Sequence, residues 1–345
     1  MRDDEIFMQR ALDLAKLGAG TVAPNPMVGA VIVYDDKIIG EGYHMNYGEA
    51  HAEVNAFRTV NDPALLQEST MYVSLEPCSH YGKTPPCCDL IIQKKVKRVV
   101  VGCVDTYSEV SGTGIKALKQ AGIDVTVGVL EKECMDLNRR FFTFHNKKRP
   151  YVILKWAQSA DGFMDIDRTK GKKGVHWITQ KETKALTHKW RHEEFGILVG
   201  RNTIINDNPE LTCRAMMGIS PHRFVIDPEL KLDYGAYHVG DRSVQTYILT
   251  NKQVHSEGKL KFVQPDSFEI KDILSKIHEL KVLSLIIEGG KRTLEGFIES
   301  DLWDEARILT GAGEIGKGVE APKLEGRMYK SFKFGKDQIQ ILRNV

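Results

Sequence analysis

The chain has 345 residues, a length that predicts two domains rather than a single core. Lysine and arginine number 48 and aspartate and glutamate 46, so the formal net charge is only +2. Because the chain has no dense basic run and no ladder of aromatic and basic residues, we expect no nucleic-acid partner. No apolar run approaches the roughly 20 residues that cross a bilayer, so we expect no membrane partner either.

The cysteine content and the first residues bear on the cellular compartment. Six cysteines in so long a chain do not suggest a disulfide framework, and the acidic residues 1–5 are unlike a signal peptide. We therefore expect a cytoplasmic protein with reduced thiols. Four of the cysteines are interpreted as small buried apolar residues: Cys88, Cys103, Cys134 and Cys213.

Strands and helices alternate along the first part of the chain, which predicts a sheet covered by helices on both faces. A tight turn at Asp35 and Asp36 is expected to join the first two strands. The predicted strands span residues 27–34, 37–44, 70–75, 98–103 and 123–129. The predicted helices span residues 3–19, begin near residues 49 and 85, and span residues 114–120 and 131–144.

The polar and basic segment 145–150, closed by Pro150, is the predicted linker. It separates the predicted domains 1–146 and 147–345. The second domain is expected to begin with a strand at 151–157, and its later strands are predicted at 195–199, 223–226, 246–250 and 283–288. Residues 179–182 (TQKE) form a capping-box pattern, which predicts a helix that runs to about His192.

Gly289 and Gly290 lie after a predicted buried strand and before a predicted helix. Such a junction can offer bare backbone N–H groups to a phosphate. Taken alone, however, it is more often only a tight turn.

The most specific pattern is His51-Ala52-Glu53, followed by Cys78 and Cys87. One imidazole and two thiolates supply three zinc ligands and leave a fourth position open for water, as in a catalytic zinc site. Glu53 suits a carboxylate that moves protons. The zinc nucleobase deaminases carry H-x-E followed by P-C-x-x-C, whereas here eight residues separate the two cysteines.

A structural zinc site is the alternative interpretation of this pattern. Such sites normally close with four protein ligands, and Cys88 or His80 could supply the fourth. That arrangement would leave Glu53 without a role, so we favour the open, catalytic site.

Three motifs in the first half carry a family resemblance: residues 24–29 (PNPMVG), 48–53 (GEAHAE) and 76–87 (EPCSHYGKTPPC). They resemble the bifunctional deaminase/reductase family of riboflavin biosynthesis. The matching stretches of the second half are 155–162 (KWAQSADG), 177–179 (WIT), 197–200 (ILVG), 207–212 (DNPELT) and 287–290 (IEGG).

The resemblance implies an α/β fold with an N-terminal cytidine-deaminase-like α/β/α domain and a C-terminal dihydrofolate-reductase-like α/β domain. It also implies two consecutive reactions. The first is the zinc-dependent deamination of a diaminopyrimidinone that carries a ribosylamino 5-phosphate. The second is the reduction of the ribosyl group to ribityl by NADPH. One Zn²⁺ per chain, NADPH and a homo-oligomer are expected on the same ground.

Site residues follow from the resemblance by motif position. Glu53 is the implied catalytic residue, and the implied zinc ligands are His51, Cys78 and Cys87. The implied contacts of the deaminase substrate are Asn25, His44, His80, Lys83 and Asp105. The implied cofactor contacts are Ala157, Trp177, Thr179, Thr203, Asp207, Thr250, Gly290, Lys291, Arg292, Thr293, Leu294, Glu295 and Gly296. The implied contacts of the reductase substrate are Val175, Arg191, Leu211, Arg214 and Glu288, with the arginines giving forked bonds to phosphate.

The chain departs from the family pattern at two places. The family usually has Asp-Pro-Asn-Pro at residues 105–108, which here read DTYS, so an asparagine contact is in doubt at Tyr107. The family often has Gly-x-Ser before Trp177, and here a serine contact is lost or moved at Val175. Purely structural roles also stay possible for three of these residues: Lys83 as a solvated lysine, Trp177 as a core residue and Asp207 as a turn aspartate.

Two other functions remain as alternatives: a deaminase of RNA or free nucleosides, and a non-enzymatic interaction protein with structural zinc. For the reductase, the expected preference for NADPH over NADH needs a contact to the 2′-phosphate of the cofactor. The candidates for that contact are Thr250, Lys252, Lys291 and Arg292.

Overall fold

The computed structural model describes residues 2–79, 85–106, 112–169, 171 and 173–344. Within it the chain divides into two compact units, Met1–Lys147 and Lys148–Val345. The division lies inside the predicted linker. A helix continues to Lys147, so the first part of that segment is helical rather than extended.

The first unit is built on a sheet of five strands in the part of the unit that the structure describes. The strands are β1 Gly29–Tyr34, β2 Lys37–Tyr43, β3 Thr70–Leu75, β4 Arg98–Cys103 and β5 Asp124–Val127. The α-helices are α1 Arg2–Ala15, α2 Ala52–Arg58, α3 Cys87–Gln93, α4 Thr113–Gln120, α5 Glu131–Leu137 and α6 Arg139–Lys147. Short 3-10 helices span Lys16–Gly18 and Pro63–Glu68.

The strand order in this sheet is β2-β1-β3-β4-β5. Strand β1 pairs antiparallel with β2 and β3, whereas β3, β4 and β5 run parallel. The predicted turn between β1 and β2 is confirmed: Asp35 and Asp36 have φ of +48° and +56°. Two left-handed residues in succession match the twist of a two-residue hairpin, and aspartate tolerates that region better than most residues.

Apolar side chains fill both faces of the sheet, as predicted. One face buries Ile32 and Val73 against α2, α3 and α4, and the other buries Val31 and Val100 against α1 and α5. Alternate strand residues point to opposite faces, so adjacent residues such as Val31 and Ile32 contribute to different cores.

The single helix predicted at 131–144 is wrong, because the structure has two helices that meet at Asn138. The side chain of Asn138 accepts a hydrogen bond from the N–H of Met27 at 2.8 Å and donates one to its carbonyl at 2.9 Å. An asparagine side chain that satisfies another segment's backbone competes with helix continuation. Asn138, at the break between the two helices, therefore anchors Met27 and with it the 24–29 motif.

The second unit contains a nine-stranded sheet and a two-stranded one in its described residues. The strands are β6 Tyr151–Gln158, β7 Phe163–Ile166, β8 Gly196–Gly200, β9 His222–Ile226, β10 Thr246–Leu249, β11 Leu260–Val263, β12 Ser284–Gly289, β13 Glu305–Thr310, β14 Gly318–Glu320, β15 Arg327–Phe334 and β16 Asp337–Arg343. The α-helices are α7 Lys181–Glu193, α8 Arg201–Asp207, α9 Ile270–Glu279 and α10 Lys291–Glu299. Short 3-10 helices span Tyr234–Ala236 and His238–Gly240.

The strand order in the large sheet is β11-β10-β9-β8-β12-β6-β13-β16-β15. All pairs are parallel except those of β16, which is antiparallel to β13 and β15. Strands β7 and β14 form the separate antiparallel pair. The central strands are buried on both faces, with Ile153 and Leu154 fully buried in different cores. Helices on both faces of a mainly parallel sheet produce this burial.

The predicted capping box of α7 does not form. The helix begins after Gln180, and no side chain of its own segment caps it. Asp337, at the start of β16, instead accepts hydrogen bonds from the N–H of Gln180 at 2.9 Å and from the hydroxyl of Thr183. A residue distant in sequence thus satisfies the helix end, which a local pattern could not indicate.

Four free cysteines are buried as predicted: Cys88, Cys103, Cys134 and Cys213. Within the described ranges, no helix has both the length and the apolar content needed to cross a bilayer.

Candidate active sites

The three predicted zinc ligands lie together where β3 ends and two helices begin. His51 is the N-cap residue of α2, and Cys87 is the first residue of α3. Cys78 follows β3 after two residues. The Nδ1 atom of His51 is 3.6 Å from Sγ of Cys78 and 3.3 Å from Sγ of Cys87. Their ligand atoms all lie within 4.8 Å of one another.

These separations fit a zinc ion. With Zn–N near 2.0 Å and Zn–S near 2.3 Å, a tetrahedral site has N···S edges of about 3.6 Å and S···S edges of about 3.8 Å. The two N···S distances lie within a few tenths of an ångström of that edge. The first unit therefore carries a preformed set of one nitrogen and two sulfur ligands.

Cys88 is turned away from this set. Its thiol donates to the carbonyl of Pro77 at 3.2 Å, and its N–H donates to the carbonyl of Cys78 at 3.1 Å. The N–H of Cys87 also donates to the sulfur of Cys78 at 3.2 Å. Among the described residues the ligand cluster contains three members only, so Cys88 does not close the site. His80, the other candidate for a fourth ligand, lies outside the described residues.

Glu76 anchors the segment that carries Cys78. Its carboxylate is buried and accepts four backbone N–H bonds: from Asp105 at 3.2 Å, Gly112 at 3.0 Å, Gly114 at 2.9 Å and Ile115 at 3.2 Å. Such bonds replace the hydration of a buried carboxylate, and two of them satisfy N–H groups in the first turn of α4.

The first turn of α4 packs against the same segment so closely that Gly114 has no room for a side chain. A Cβ atom there would lie 2.2 Å from the carbonyl oxygen of Pro77. The position of Cys78 is therefore fixed by α4 as well as by β3.

Glu53 lies in the first turn of α2 and is 3% exposed. Burial, and then the neighbouring Cys78 sulfur, raise the pKa of its carboxyl above the ordinary range. A buried carboxyl beside the ligand set holds a proton more readily than an exposed one does. This is a suitable property for a group that takes up and releases protons.

Two predicted substrate contacts form a hydrogen-bonded pair. Nε2 of His44 lies 3.1 Å from Nδ2 of Asn25, and Nδ1 lies 3.1 Å from the carbonyl of Ala50. The carbonyl can only accept, so Nδ1 carries the proton and the neutral ring accepts from Asn25 through Nε2. Burial lowers the pKa of His44, which favours this neutral form.

Asp105 follows β4 and is 8% exposed. Its backbone N–H donates to the carboxylate of Glu76. The remaining predicted contacts of this site, His80 and Lys83, and the departure at Tyr107 lie outside the described residues.

A cavity of about 920 Å³ in the second unit collects most of the predicted reductase residues. It lies at the carboxyl ends of the parallel strands, where sites in such sheets are usually found. The predicted residues that line it are Ala157, Val175, Trp177, Thr179, Arg191, Thr203, Asp207, Leu211, Arg214, Glu288, Gly290, Lys291, Arg292 and Thr293.

Four predicted cofactor contacts lie away from this cavity. Thr250 is fully buried, and its hydroxyl donates to the carbonyl of Pro228 at 3.0 Å. Leu294 is fully buried in the core, while Glu295 lies 3.7 Å from Lys291 along α10. Gly296 lies further along the same helix and packs near Ile270. A helix presents only part of its surface to a cavity, which explains the positions of the three residues on α10.

The Gly289-Gly290 junction differs from the prediction of bare N–H groups. The N–H of Gly290 donates to the hydroxyl of Thr203 at 3.0 Å. This bond ties the start of α10 to α8, so two predicted cofactor residues hold each other in position at the cavity.

Glu288 and Arg191 form a forked ion pair at the cavity wall. Nε of Arg191 is 3.0 Å and Nη2 is 2.7 Å from the two carboxylate oxygens. Lys155, which the sequence did not single out, lies 3.9 Å from the same carboxylate. Although burial opposes ionisation, Arg191 and Lys155 lower the pKa of Glu288 to about 2. Burial lowers the pKa of Lys155.

The position of Lys155 inside the 155–162 motif was the signal available for it. The guanidinium of Arg191 was predicted to bind phosphate through two hydrogen bonds, whereas in the structure it makes those two bonds to the carboxylate of Glu288.

Arg168 is a second residue that the sequence did not indicate. Its guanidinium contacts Asp207 at 2.9 Å and Asp165 at 3.0 Å, and it donates to the carbonyl of Gly174 at 3.1 Å. Burial raises the pKa of Asp207, and Arg168 opposes that effect. Nothing in the local pattern distinguishes Arg168 from an exposed loop arginine.

Comparison with known families agrees with this division of the chain. Residues 1–103 match the cytidine and deoxycytidylate deaminase zinc-binding region. Residues 150–337 match the RibD C-terminal domain. The first region contains His51, Cys78, Cys87 and Glu53, and the second contains the cavity.

Similar proteins match along nearly the whole chain. The riboflavin biosynthesis protein RibD of Aquifex aeolicus is 39% identical over 98% of this chain and 96% of its own length. RibD of Bacillus amyloliquefaciens is 36% identical over 96% of this chain and 90% of its own length.

Solved structures also match over the whole length of this chain. The crystal structure of a diaminohydroxyphosphoribosylaminopyrimidine deaminase/5-amino-6-(5-phosphoribosylamino)uracil reductase from Thermotoga maritima has a TM-score of 0.91 and 33% identity. It covers 100% of this chain and 99% of that chain. RibD of Acinetobacter baumannii gives a TM-score of 0.91 and 30% identity, with the same coverage. The chain therefore belongs to the RibD family of bifunctional riboflavin-biosynthesis enzymes, with a zinc-binding deaminase region followed by an NADPH-dependent reductase domain.

Proposed function

We propose that the first unit, predicted as domain 1–146, deaminates the pyrimidine with His51, Cys78 and Cys87 as zinc ligands and Glu53 as the proton carrier. The observation that carries this proposal is a set of three candidate ligands, among the described residues, beside a buried carboxyl. Zinc, when bound, supplies a Lewis acid that makes water a nucleophile near neutral pH. Two thiolates and one imidazole match the softness and geometry that zinc prefers.

Glu53 performs the proton transfers in this proposal. Its carboxylate takes a proton from the attacking water and gives it to the adjacent ring nitrogen, while oxygen bonds to the amino-bearing carbon. It then takes the remaining proton from the added hydroxyl and transfers it to the amino group, so that the carbonyl forms as the C–N bond breaks and ammonia leaves. The amine is replaced by a carbonyl, and no oxidant or reductant is required.

The polar groups near the zinc ligands orient the ring. His44 occupies the Nδ2 group of Asn25, so the other amide atom, Oδ1, is available to accept a hydrogen bond from a ring N–H or amino group. Asp105, held through its backbone by Glu76, is proposed as a second contact. His80 and Lys83 stay predicted contacts of the same substrate.

We propose that the cavity of the second unit, predicted as domain 147–345, holds NADPH and the phosphorylated ribosyl substrate. NADPH, when bound, supplies the hydride. Lining residues proposed to contact the cofactor are Ala157, Trp177, Thr179, Thr203, Asp207 and Gly290 to Thr293. Thr250, Leu294, Glu295 and Gly296 are not part of this proposal, because they lie away from the cavity.

The substrate end of the cavity is proposed to lie near Glu288 and Arg214. The carboxylate of Glu288 stays ionised, because Arg191 and Lys155 flank it, and it can accept hydrogen bonds from sugar hydroxyls. The side chain of Arg214 is 40% exposed, and its Nε lies 3.5 Å from Glu210, so phosphate can reach it. Val175 and Leu211 also line the cavity and limit its width.

A coupled mass measurement tests both assignments. Purified chain is incubated with the phosphorylated diaminopyrimidine, with and without NADPH. A gain of about 1 Da without NADPH reports replacement of the amine by a carbonyl, and a further 2 Da with NADPH reports reduction. Reduction without prior deamination would contradict the proposed order, and no mass change at all would contradict the function.

A homo-oligomer and a cytoplasmic location also stay predictions. Strand β15 lies at one edge of the large sheet and exposes Met328 and Tyr329, at 47% and 50%. An exposed edge strand with apolar side chains is a common site of self-association. Size-exclusion chromatography with light scattering measures the assembly, and a monomer at micromolar concentration would contradict the prediction.

A further inference from the structure

A loop between α8 and β9 brings Arg214 to the wall of the reductase cavity. The loop buries Leu211 and Cys213 on one side of Arg214, but on the other side it exposes apolar side chains, including Met217 at 96% and Ile219 at 58%. The N–H of Cys213 donates to the hydroxyl of Ser220 at 3.0 Å, which closes the neck of the loop. Buried packing therefore holds the loop on only one side of Arg214, and other contacts must hold the rest.

Helix α7 supplies those contacts through its inner face. Nδ1 of His188 accepts the N–H of Arg214 at 3.0 Å and lies 3.4 Å from the N–H of Ala215. One turn further along, Nη1 of Arg191 donates to the carbonyl of Thr212 at 3.2 Å. The backbone on both sides of Cys213 is thus bonded to two residues of one helix.

The same turn of α7 also holds the far end of the loop. Nδ1 of His192 accepts the N–H of Ile219 at 2.9 Å. The loop passes so close to this ring that a Cβ atom on Gly218 would lie 2.9 Å from it. His188 and His192, one helical turn apart, use the same ring nitrogen for the same purpose.

The chemical state of His188 follows from its partners. Since backbone N–H groups only donate, Nδ1 must be unprotonated and the ring proton lies on Nε2. His188 is 2% exposed, and burial together with the charges of Arg191 and Arg214 lowers its pKa to about 4. The acceptor atom therefore persists at neutral pH.

The side chain of Arg214 is itself loosely held. Its ion pair with Glu210 is 3.5 Å long, and both side chains are 40% exposed. Pairs of this kind contribute little to ordering a side chain. Arg191, which is fixed on Glu288, does not offer its fork to phosphate. The phosphate contact therefore depends on where the backbone of Arg214 is placed.

We propose that His188 is a positioning residue of the reductase, which holds the backbone of Arg214 so that its guanidinium meets the sugar phosphate. This inference rests on the proposed function, in which Arg214 binds that phosphate. Without the acceptor on His188, substrate binding would also have to order the loop, and the cost of that ordering would weaken affinity for the phosphorylated sugar.

Two substitutions of His188 separate this role from a general packing role. The Oδ1 atom of asparagine can occupy the place of Nδ1, whereas the Oε1 atom of glutamine reaches toward the place of Nε2. We expect His188→Gln to raise KM for 5-amino-6-(5-phosphoribosylamino)uracil about tenfold, the effect of losing roughly one hydrogen bond of positioning energy. His188→Asn should stay within about threefold of the wild-type KM.

The dephosphorylated form of the same substrate is the matched probe. Its KM should be nearly the same in the wild type and in His188→Gln, because the phosphate contact is absent from both measurements. The tryptophan fluorescence of each full-length variant shows whether the second unit is folded, because all four tryptophans lie in that unit. Equal KM increases for both substrates, or equal impairment by asparagine and glutamine, would overturn the positioning role.

Arg214→Ala separates this inference from the proposed function on which it rests. It should lower the preference for the phosphorylated substrate at least as much as His188→Gln does. If Arg214→Ala changes that preference and His188→Gln does not, the inference is wrong and the role of Arg214 stands. If Arg214→Ala leaves the preference unchanged, the proposed role of Arg214 is wrong, and the inference falls with it.

Discussion

The proposed zinc ligands of the first unit come from two short motifs, whereas the charged residues of the second cavity come from segments scattered along the chain. In the first unit, a helix N-cap, a strand end and the first residue of another helix bring three ligand atoms within 4.8 Å. In the second unit, Lys155 and Arg191 lie on different elements from Glu288 and still fix its charge.

This difference determines how each site is held in place. The ligand set is positioned mainly by backbone contacts, such as the four N–H bonds to Glu76 and the N–H bond to the sulfur of Cys78. The reductase cavity is positioned by side-chain ion pairs, which include Arg191–Glu288 and Arg168–Asp207. Loss of one member of a buried pair leaves the other charge uncompensated. Substitutions should therefore act locally in the first site and more broadly in the second.

The largest expected effect is that of Cys87→Ala. Removal of one of three ligands should reduce zinc from about one per chain to near zero and deamination to background, because the remaining two ligands cannot hold the ion. Elemental analysis and ammonia release measure both. Cys88→Ala is the matched control, since its thiol points to Pro77 rather than to the ligands. Zinc content equal in Cys87→Ala and wild type would contradict the ligand assignment.

Glu53→Gln should keep zinc and lower deamination by roughly 10²-fold or more, the usual scale for removing a general acid–base group. The amide has nearly the same shape as the carboxyl but cannot carry the proton between water, ring and leaving group. Reduction of substrate that is already deaminated should continue at the wild-type rate. Ammonia release close to wild type would exclude Glu53 from the mechanism, and loss of both activities in a folded variant would contradict the separation of the two sites.

A smaller effect is expected when a residue that contacts the 2′-phosphate of NADPH is replaced, and it concerns the preference for NADPH over NADH. The structure places Arg292 on the cavity wall, whereas Lys252 lies 3.3 Å from Glu229, and neither Lys252 nor Thr250 lines the cavity. We expect Arg292→Ala to reduce the NADPH preference in kcat/KM about tenfold, because a contact to a charged phosphate contributes roughly 1.5–3 kcal/mol at most.

Lys252→Ala is the control for this prediction and should leave the preference unchanged. The comparison requires kcat/KM for NADPH and NADH with all three proteins. Equal kcat/KM for the two cofactors in the wild type would refute the preference itself. A change of the preference in the Lys252 variant alone would show that Lys252, not Arg292, contacts the 2′-phosphate.

His188 should also affect the stability of the fold at acid pH. The folded-state pKa of His188, about 4, is below the unfolded value near 6.5. Between these values the unfolded chain binds a proton that the folded chain does not, so stability is full above pH 6.5 and falls as the pH decreases toward 4. The loss should reach about 2 kcal/mol near pH 5.

The second unit can be followed separately in this measurement, because all four tryptophans lie in it: Trp156, Trp177, Trp190 and Trp303. Urea unfolding monitored by tryptophan fluorescence should therefore show a weaker pH dependence for His188→Asn than for the wild type. An identical slope in the two proteins would show that His188 does not titrate as described.

The sequence alone determined the elements whose signals are local. Strands β3 and β4 have the predicted bounds, because continuous apolar runs between polar turns specify buried strands. The sequence also indicated the three candidate ligands that the structure brings together, since a metal site needs particular residue types at particular spacings. The edge strands after residue 300 could not: β15 is exposed along nearly its whole length and has no buried face to produce a pattern.

Only the tertiary structure decided which residues that are distant in sequence form hydrogen bonds or ion pairs with each other. Asp337 caps α7 in place of the expected local box, and Asn138 divides a predicted helix because it binds Met27. The same holds for Lys155 beside Glu288 and for His188 beneath Arg214. Propensity and periodicity describe a residue and its neighbours within a few positions, whereas hydrogen bonds and ion pairs depend on distances that exist only after the sheet has formed.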